Sequence, residues 1–300
     1  MSGANDGLIL GFPEDLPAAE RLAKAAQRPC DAVSLHRFPD GETRLQLPAA
    51  LPAEVVLYRS LADPNAKLIE LALAAQTARE LGARRVTLVA PYLCYMRQDA
   101  AFHPGEAVSQ RVIGRLLADW LDALITVDPH LHRVHHLAEA VPLAHAISLS
   151  AAPSMADFLF AHFRGAGLAD PLLVGPDAES EQWVAGIAAH NALDYRIAIK
   201  RRLGDRDVRI TLAPEDLRDR HVVLVDDVAS TGHTLEVAAR LVRALEPASI
   251  SALVTHALFV GDALERLQAA GVEAVWSCDS IPHQTNRIAL APLLAPALLP

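Results

Sequence analysis

The chain has 300 residues, of which 52% are hydrophobic and 21% are charged, and its net charge at pH 7 is −9. This composition is sufficient for substantial hydrophobic cores and excludes an intrinsically disordered chain, and the length corresponds to about two domains. The chain has no block of lysine and arginine and only 5% aromatic residues, so we expect no nucleic-acid partner.

The cysteines and the apolar stretches indicate the compartment. Cys30, Cys94 and Cys278 lie too far apart for a zinc knuckle, and any disulfide scheme leaves one of them unpaired, which is typical of reduced thiols in the cytoplasm. The first residues lack the basic and apolar segments of a secretory signal. The apolar stretch 288–299 contains two prolines and is too short to cross a bilayer. We therefore expect a soluble cytoplasmic protein without a membrane partner.

Apolar strands alternate with amphipathic helices along the whole chain. The helix 67–81, for example, has its leucines and alanines on one face. The strand candidates are Val55–Tyr58, Val86–Ala90, Leu124–Val127, Leu172–Val174, Val222–Val225 and Ile250–Val254. Such alternation predicts an α/β fold with mainly parallel sheets between layers of helices.

The segment Ser148–Ser154 interrupts this alternation and predicts a domain boundary. We expect two similar doubly wound domains, 1–149 and 150–300, with the last residues packing back on the N-terminal domain. Pro153 is expected in the first turn of a new helix, with Ala152 or a neighbour as its cap.

Polar residues follow several of the predicted strands directly. The strand 86–90 leads into the segment 91–99, the strand 124–127 into Asp128-Pro129-His130, and the strand 172–174 into Gly175-Pro176-Asp177. Ligands of open parallel sheets bind beyond the carboxyl ends of the strands. These segments are therefore candidate parts of one or more binding sites.

The most informative segment follows the strand 222–225. Asp226 and Asp227 precede a loop with small hydroxylated residues, and a helix is predicted over 235–245. Two carboxylates can accept hydrogen bonds from ribose hydroxyls. The loop residues Ser230, Thr231, Gly232, His233 and Thr234, together with the positive end of the helix, can hold the 5-phosphate of that sugar. The alternative is a strand end followed by an ordinary Ser/Thr helix cap, without any phosphate.

Three further segments admit both a structural and a functional interpretation. Arg37–Glu42 contains a Pro-Asp-Gly sequence that is typical of a turn between strands. Arg97-Gln98-Asp99 is either a surface cluster or a contact for phosphate and adenine. Lys200-Arg201-Arg202 follows the apolar stretch 195–199, and it is either a solvated strand end or, in this acidic protein, a clamp for a polyphosphate.

Four histidines, His130, His132, His135 and His136, suggest a metal site. No carboxylate or thiol follows them at the spacing of a zinc site, so we expect no dedicated zinc site. If a polyphosphate binds, Mg²⁺ is expected instead, because it keeps its waters and takes few protein ligands.

Taken together, the motifs resemble those of a known family. The string from Val225 to Thr234 is similar to the signature loop of the phosphoribosyltransferase superfold. Eight segments in order resemble the ribose-phosphate diphosphokinase family over residues 8–295, and these are Arg37–Glu42, Ala90–Asp99, Pro104–Glu106, Val127–His130, Pro176-Asp177, Lys200–Arg202, Val225–Asp227 and Phe259–Ala263.

The resemblance implies the reaction and the roles of the residues. The family transfers the diphosphoryl group of ATP to the C1 hydroxyl of ribose 5-phosphate, for nucleotide biosynthesis, and assembles at least as a homodimer. In this sequence Phe38, Asp40, Gly41 and Glu42 would form the adenine loop supplied to a neighbouring subunit, and Arg97 and Gln98 would contact ATP. His130 and Asp177 would serve the magnesium–triphosphate. Lys200 and Arg202, with His130, would be catalytic, and Arg202, Asp226, Asp227 and the residues Ser230–Thr234 would bind ribose 5-phosphate.

The sequence also departs from the family pattern. Two glycines usual after Pro176-Asp177 are replaced by Glu179 and Ser180, and His233 stands where a glycine is common. The change could tighten the loop, repel an anionic substrate or offer a metal-bridged contact. Two alternatives to an active synthetase are a phosphoribosyltransferase and a catalytically silent paralogue that regulates a synthetase. Against the first stand the ATP segments, and against the second stand the retained His130 and Lys200–Arg202.

Overall fold

The structure is a computed structural model that describes residues 7–131, 133–202, 208–211 and 217–298, with the side chains of 199–216 outside the description. The chain divides into two compact units. The first contains Met1–Leu149, Ser280–Pro282 and Leu290–Pro300, and the second contains Ser150–Asp279 and His283–Ala289. The first division therefore falls after Leu149, and two later segments return to the first unit.

The first unit is built on a six-stranded parallel sheet. Its strands are β1 (Leu8–Gly11), β2 (Cys30–Ala32), β5 (Glu54–Tyr58), β6 (Arg85–Ala90), β7 (Ala123–Val127) and β8 (His145–Leu149). Their order across the sheet is β2-β1-β5-β6-β7-β8, and every pairing is parallel. Its helices are α1 (Leu16–Ala26), α2 (Pro64–Glu80), α3 (Ser109–Trp120), α4 (Leu137–Ala140) and α9 (Ala291–Leu294).

The second unit repeats this plan. Its strands are β9 (Leu172–Gly175), β10 (Tyr195–Ile197), β13 (His221–Ala229), β14 (Ser249–Ala257), β15 (Ala274–Cys278) and β16 (Asn286–Ile288), and its helices are α5 (Ala152–Gly165), α6 (Glu181–Asn191), α7 (His233–Arg243) and α8 (Ala263–Ala269). The order is β10-β9-β13-β14-β15-β16, again with parallel pairings. Because parallel crossovers are right-handed, chain paths that leave the first strand in opposite directions place helices on opposite faces of the sheet.

Each unit carries one antiparallel hairpin after its second sheet strand. In the first unit β3 (Ser34–Arg37) pairs with β4 (Thr43–Gln46), and in the second β11 (Ile199–Arg202) pairs with β12 (Val208–Thr211). The Pro-Asp-Gly turn predicted between strands is confirmed, because it joins β3 to β4.

The mainly parallel α/β architecture is confirmed, and the buried apolar strands explain it. The central strands β6 and β7 are almost entirely buried, as expected for a sheet with helices on both faces. The helix predicted after the boundary is confirmed as α5, which has Pro153 in its first turn and Ala151 as N-cap. Among the described helices, none combines the length and apolar composition that a bilayer span requires.

The predicted end of the strand at Val225 is wrong. β13 continues to Ala229 because β14 runs beside it that far, with Asp226 opposite Val254 and Ala229 opposite Ala257. Asp226 and Asp227 therefore lie within the strand and not after it. The following helix begins at His233, two residues earlier than predicted, and ends at Arg243.

The apolar stretch 195–199 is also not a single strand. It divides into β10, which ends at Ile197, and β11, which begins at Ile199. Lys200 lies opposite Ile210 and Arg202 opposite Val208 within the hairpin. The basic triplet thus forms the end of the hairpin strand β11, whereas the sequence placed it after a single strand 195–199.

Candidate functional site

The candidate site of the second unit lies at the carboxyl ends of β9 and β13. The strand order changes direction between these two strands, since β10 lies on one side of β9 and β13 on the other. β9 pairs with β13 only as far as Val174 and Leu224, whereas β14 accompanies β13 to its end. The last part of β13 thus has an open edge at the point where doubly wound sheets bind ligands.

Three carboxylates lie close enough to influence one another at this point. Asp226 and Asp227 lie near the end of β13, and Asp177 follows β9. Burial, then the negative charges of Asp227 and Asp177, raise the pKa of Asp226 well above its ordinary value. Like charges at close range disfavour the ionised form. The cluster is therefore suited to accept hydrogen bonds from hydroxyl groups or to face a cation.

The loop after β13 ends at the N-terminus of α7. Gly232 is the N-cap of this helix and has a φ of 70°, a conformation that favours glycine. Glycine offers no side chain to accept from the first-turn N–H groups. The His233 N–H donates to Thr231 Oγ1 at 3.4 Å, and the next N–H groups, which have no partner within the helix, can bind an anion. Thr231 and His233 are exposed at this end, and Ser230 and Thr234 are partly exposed. The arrangement is that of an anion-binding helix terminus.

The departure at residues 178–180 has a structural explanation. Ala178–Ser180 form a 3₁₀ turn, and Asp177 caps it by accepting a hydrogen bond from the Glu179 N–H at 3.2 Å. The buried Ser180 hydroxyl donates to the Asp177 carbonyl oxygen at 2.6 Å. None of these three described residues has a positive φ, so the turn does not require the glycines. Of the three consequences considered, the structure favours a tightened turn with Glu179 exposed.

The candidate ATP residues of the first unit lie in two places. Phe38, Asp40, Gly41 and Glu42 form the turn of the β3–β4 hairpin, in which the Glu42 N–H donates to Asp40 Oδ1 at 3.1 Å. Phe38 is exposed there and packs edge-on against His36 at 4.9 Å between ring centroids. An exposed aromatic side chain on a projecting turn is available to a ligand or to another subunit.

The second place follows β6 and β7. Arg97 is exposed, and Gln98 is partly buried with its Nε2 donating to the Ala100 carbonyl at 3.0 Å. Asp99 is buried, and its carboxylate accepts hydrogen bonds from the backbone N–H and from the guanidinium of Arg133. Asp99 is therefore a structural anchor for this loop, and Arg97 is the residue that it presents to solvent. His130 follows β7 and is partly buried.

Several predicted residues fall at or beyond the limits of the description. The backbones of Lys200 and Arg202 lie in β11, but their side chains, like all of His132, lie outside the described residues. His136 donates its N–H to Glu139 Oε1 at the start of α4. Within the described parts of the chain, no group of three His, Cys, Asp or Glu side chains is arranged to hold a metal ion.

Two arginines with buried or loop contacts are not marked by any sequence motif. Arg59, directly after β5, is almost completely buried, pairs with Glu70, and has Nη1 3.8 Å from Asp15 Oδ2. Arg266, in α8, donates to the Thr231 carbonyl in the loop between β13 and α7. Their partners lie on other elements of the fold, so no local sequence pattern identifies them.

Comparison with known proteins matches the whole chain. Residues 9–120 match a family model described as the N-terminal domain of ribose phosphate pyrophosphokinase, and residues 148–289 match a phosphoribosyl transferase domain. The ribose-phosphate pyrophosphokinase of Methanopyrus kandleri is 34% identical over 97% of this chain and 98% of its own. That of Saccharolobus solfataricus is 34% identical over 91% and 93%.

A solved structure has the same fold. The phosphoribosylpyrophosphate synthetase from Mycobacterium smegmatis superposes with a TM-score of 0.80 over 97% of each chain, at 22% sequence identity. The two matched domains and the full-length relatives lead to one conclusion. This chain belongs to the ribose-phosphate pyrophosphokinase family.

Proposed function

We propose that this protein transfers the β,γ-diphosphoryl group of ATP to the C1 hydroxyl of ribose 5-phosphate, producing phosphoribosyl diphosphate and AMP. The observation that carries the proposal is the second unit's combination of a carboxylate cluster with a helix terminus that can bind an anion. The names of the full-length relatives support the same reaction. Their coverage of both units favours a synthetase over a phosphoribosyltransferase, which needs no ATP segment.

Ribose 5-phosphate binds in the second unit. Asp226 and Asp227 accept hydrogen bonds from the ribose hydroxyls, which relieves the repulsion that raises the pKa of Asp226. The loop Ser230–Thr234 and the N-terminus of α7 hold the 5-phosphate, with His233 exposed beside it. Arg202 contributes a cation to the same substrate.

ATP binds through residues of the first unit. Arg97 and Gln98 contact the nucleotide, and the exposed hairpin turn with Phe38, Asp40, Gly41 and Glu42 supplies the adenine contact to a neighbouring subunit. This arrangement requires at least a homodimer. The exposure of Phe38 at the turn supports it, because a partner or a nucleotide base would cover that ring.

The carboxylates of the second unit fit magnesium. His130 and Asp177 would hold the ion with its triphosphate, directly or through water, and the mutual repulsion at Asp177 and Asp226 favours a cation nearby. Mg²⁺ binds oxygen ligands and keeps several waters, so a dedicated cage of protein side chains is not required. When bound, the ion neutralises the charge of the polyphosphate.

The chemistry makes one bond and breaks one. The C1 oxygen of ribose attacks the β-phosphorus of ATP, the bond between that phosphorus and the α–β bridging oxygen breaks, AMP leaves, and the hydroxyl proton passes to solvent. Proteins accelerate such transfers by alignment and by cations placed where negative charge develops. Lys200 and Arg202 provide these cations. The anomeric hydroxyl is more acidic than an ordinary alcohol, so we assign no protein base.

A product assay by mass spectrometry tests the proposal. The purified protein is incubated with ATP, Mg²⁺ and ribose 5-phosphate, with and without inorganic phosphate. We expect AMP and phosphoribosyl diphosphate in equal amounts, and no AMP when ribose 5-phosphate is omitted. Release of ADP, or AMP formation that does not need the sugar, contradicts the proposal. Binding of both substrates without any product favours the regulatory paralogue.

A further inference from the structure

Arg266, a residue that no motif contains, contacts the phosphate-binding loop. Between the end of β13 and the start of α7, the loop's backbone forms two tertiary contacts. The Val260 N–H donates to the Ser230 carbonyl at 3.2 Å, and Arg266 Nη2 donates to the Thr231 carbonyl at 2.6 Å. Both contacts come from the segment that follows β14, which contains the motif Phe259–Ala263.

Arg266 is itself held in place on two sides. Its guanidinium pairs with Asp262, one turn earlier, and its Nε lies 3.4 Å from Glu236 Oε2. Glu236 is buried in the first turn of α7, and its other carboxylate oxygen accepts from Arg240 Nη2 at 2.7 Å. A planar guanidinium can make such contacts at once because its five N–H groups have fixed directions. Arg266 thus links the loop to α7 and α8.

The contact with Thr231 orients the loop. In a trans peptide the C=O of one residue and the N–H of the next point in opposite directions, and the described residues contain no cis peptide. Because the Thr231 carbonyl points to Arg266, the Gly232 N–H points away from it. Pairing the carbonyl with a cation also reduces the negative potential that a phosphate would meet at this end of α7.

Arg266 also compensates the charge of Glu236. A carboxylate in the first turn of a helix competes with any anion that binds at that terminus. Glu236 is bound by Arg240 and Arg266, so its charge is neutralised within the protein. Loss of Arg266 would therefore disturb phosphate binding in two ways, by releasing Thr231 and by exposing the loop to Glu236.

We propose that Arg266 is a positioning residue for the substrate phosphate, which holds the Thr231–Gly232 peptide in its anion-binding orientation without contacting the substrate. The inference rests on the proposed function, since it assumes that ribose 5-phosphate is the ligand of this loop.

The first test is Arg266→Met, which removes the cation but keeps the length of the side chain. We expect the KM for ribose 5-phosphate to rise roughly tenfold, the loss typical of a hydrogen bond to a charged group, with the KM for ATP unchanged. A purely structural role would lower the active fraction, and so kcat, while leaving the KM for ribose 5-phosphate unchanged. That outcome overturns the proposal.

A matched control is Arg164→Met. Arg164 lies in α5 of the same unit, pairs with Asp170 at 3.2 Å and covers the ring of Phe160, but it contacts neither the loop nor α7. We expect wild-type KM values from this variant. If it weakens ribose 5-phosphate binding as much as Arg266→Met does, the effect is one of general charge and the proposal fails.

A second variant, Glu236→Gln, separates positioning from neutralisation of Glu236. Combined with Arg266→Met, it removes the cation and the carboxylate together, so the net charge beside the loop stays the same. If Arg266 acts through Thr231, the KM for ribose 5-phosphate of this double variant stays raised roughly tenfold. A KM restored to the wild-type value would mean that Arg266 only neutralises Glu236, and it overturns the proposal. Arg266→Lys keeps the charge but not the planar guanidinium, so its KM for ribose 5-phosphate is expected to lie between those of Arg266→Met and the wild type.

Ligand-induced thermal shifts provide the readout if any variant turns over poorly. Ribose 5-phosphate alone should raise the Tm of the wild type and of Arg164→Met, and raise that of Arg266→Met less. Absence of a shift in the wild type contradicts the proposed function. A normal shift in the wild type and an equal one in Arg266→Met contradicts only the role of Arg266.

Discussion

The two units share one topology but differ in the charges at their switch points. In each, the first strand lies second in the sheet and the third sheet strand lies beside it. In the first unit Asp15 follows β1 and Arg59 follows β5. In the second, Asp177 follows β9, and Asp226 lies near the end of β13. Equivalent places in the fold thus carry an acid with a base in one unit and acids only in the other.

In the first unit a buried cation of the protein lies beside the acids. Arg59 is 1% exposed, pairs with Glu70, approaches Asp15, and covers the ring of Phe12 at 4.4 Å. The Ser60 N–H donates to Asp15 Oδ2 at 3.2 Å. The protein fills this crevice with its own cation. In the second unit, burial and the charges of Asp227 and Asp177 raise the pKa of Asp226, which favours a cation or a hydrogen-bond donor beside it.

This difference indicates which of the two equivalent crevices is the candidate ligand site. The topology offers a crevice at the switch point of every doubly wound sheet, and a group there with a strongly raised pKa makes the crevice a candidate site for a ligand. The two hairpins are also equivalent in position but different in predicted role. Each follows the second sheet strand of its unit, and one is predicted to form an adenine loop and the other to carry the catalytic cations.

The largest expected effect is that of Lys200→Ala in the second hairpin. Loss of a cation that stabilises charge during phosphoryl-type transfer lowers kcat by roughly 10³–10⁴-fold, while the KM for ATP changes little. Steady-state kinetics with Lys24→Ala, an exposed lysine of α1, as the control provide the measurement. Equal losses in ATP binding and in turnover would show that Lys200 binds the ground state and not the transition state.

Arg59→Met tests the self-compensated crevice of the first unit. It leaves Asp15 and Glu70 without their buried cation, which costs about 3–5 kcal/mol of unfolding free energy. Urea unfolding followed by the fluorescence of Trp120, the tryptophan of this unit, measures the effect in a background with Trp183→Phe and Trp276→Phe. The control is Arg79→Met, whose partly exposed side chain pairs with Asp122 and donates to the Trp120 carbonyl, and which should cost less than Arg59→Met because water screens that pair. Equal effects of the two would mean that the cluster adds nothing.

A candidate site can be predicted from the sequence where its residues are contiguous. Asp226, Asp227 and the loop to Thr234 lie within nine residues, so strand, acids and anion-binding terminus are visible together. The predicted end of β13 was wrong because aspartate is rare in strands. The long neighbouring strand β14 nevertheless holds Asp226 and Asp227 in an extended conformation. Arg59 and Arg266 could not be found, because their partners lie 11 and 35 residues away, in Glu70 and Thr231.

Asp15→Asn tests the crevice of the first unit through the pH dependence of stability. Burial raises the pKa of Asp15 to about 6, despite the nearby Lys67 and Arg59. In the unfolded chain an aspartate titrates near 3.9, so the folded state binds the proton more tightly. The wild type therefore loses stability relative to the variant as pH rises from about 4 to about 6, by about 3 kcal/mol in total. Parallel pH–stability curves for the two proteins would contradict the raised pKa.

The smallest expected effect, Asp226→Asn, separates function from stability in the second unit. Asparagine keeps the shape but accepts a weaker hydrogen bond from a ribose hydroxyl, so the KM for ribose 5-phosphate should rise roughly tenfold. The same change removes a charge that the fold disfavours, because the pKa of Asp226 is raised by burial and by its acidic neighbours. The variant should therefore be more stable than the wild type at pH 8, by about 1 kcal/mol, with the difference closing as pH falls towards 4.

Thermal unfolding and substrate kinetics measure the two effects, with Asp194→Asn, which breaks the exposed pair with Arg220, as the control. A variant that is less stable and binds the sugar normally would mean that Asp226 supports the fold and that the ligand compensates some other charge. Weaker sugar binding together with higher stability would show that the repulsion in the second unit is kept for the substrate, in contrast to the neutralised crevice of the first.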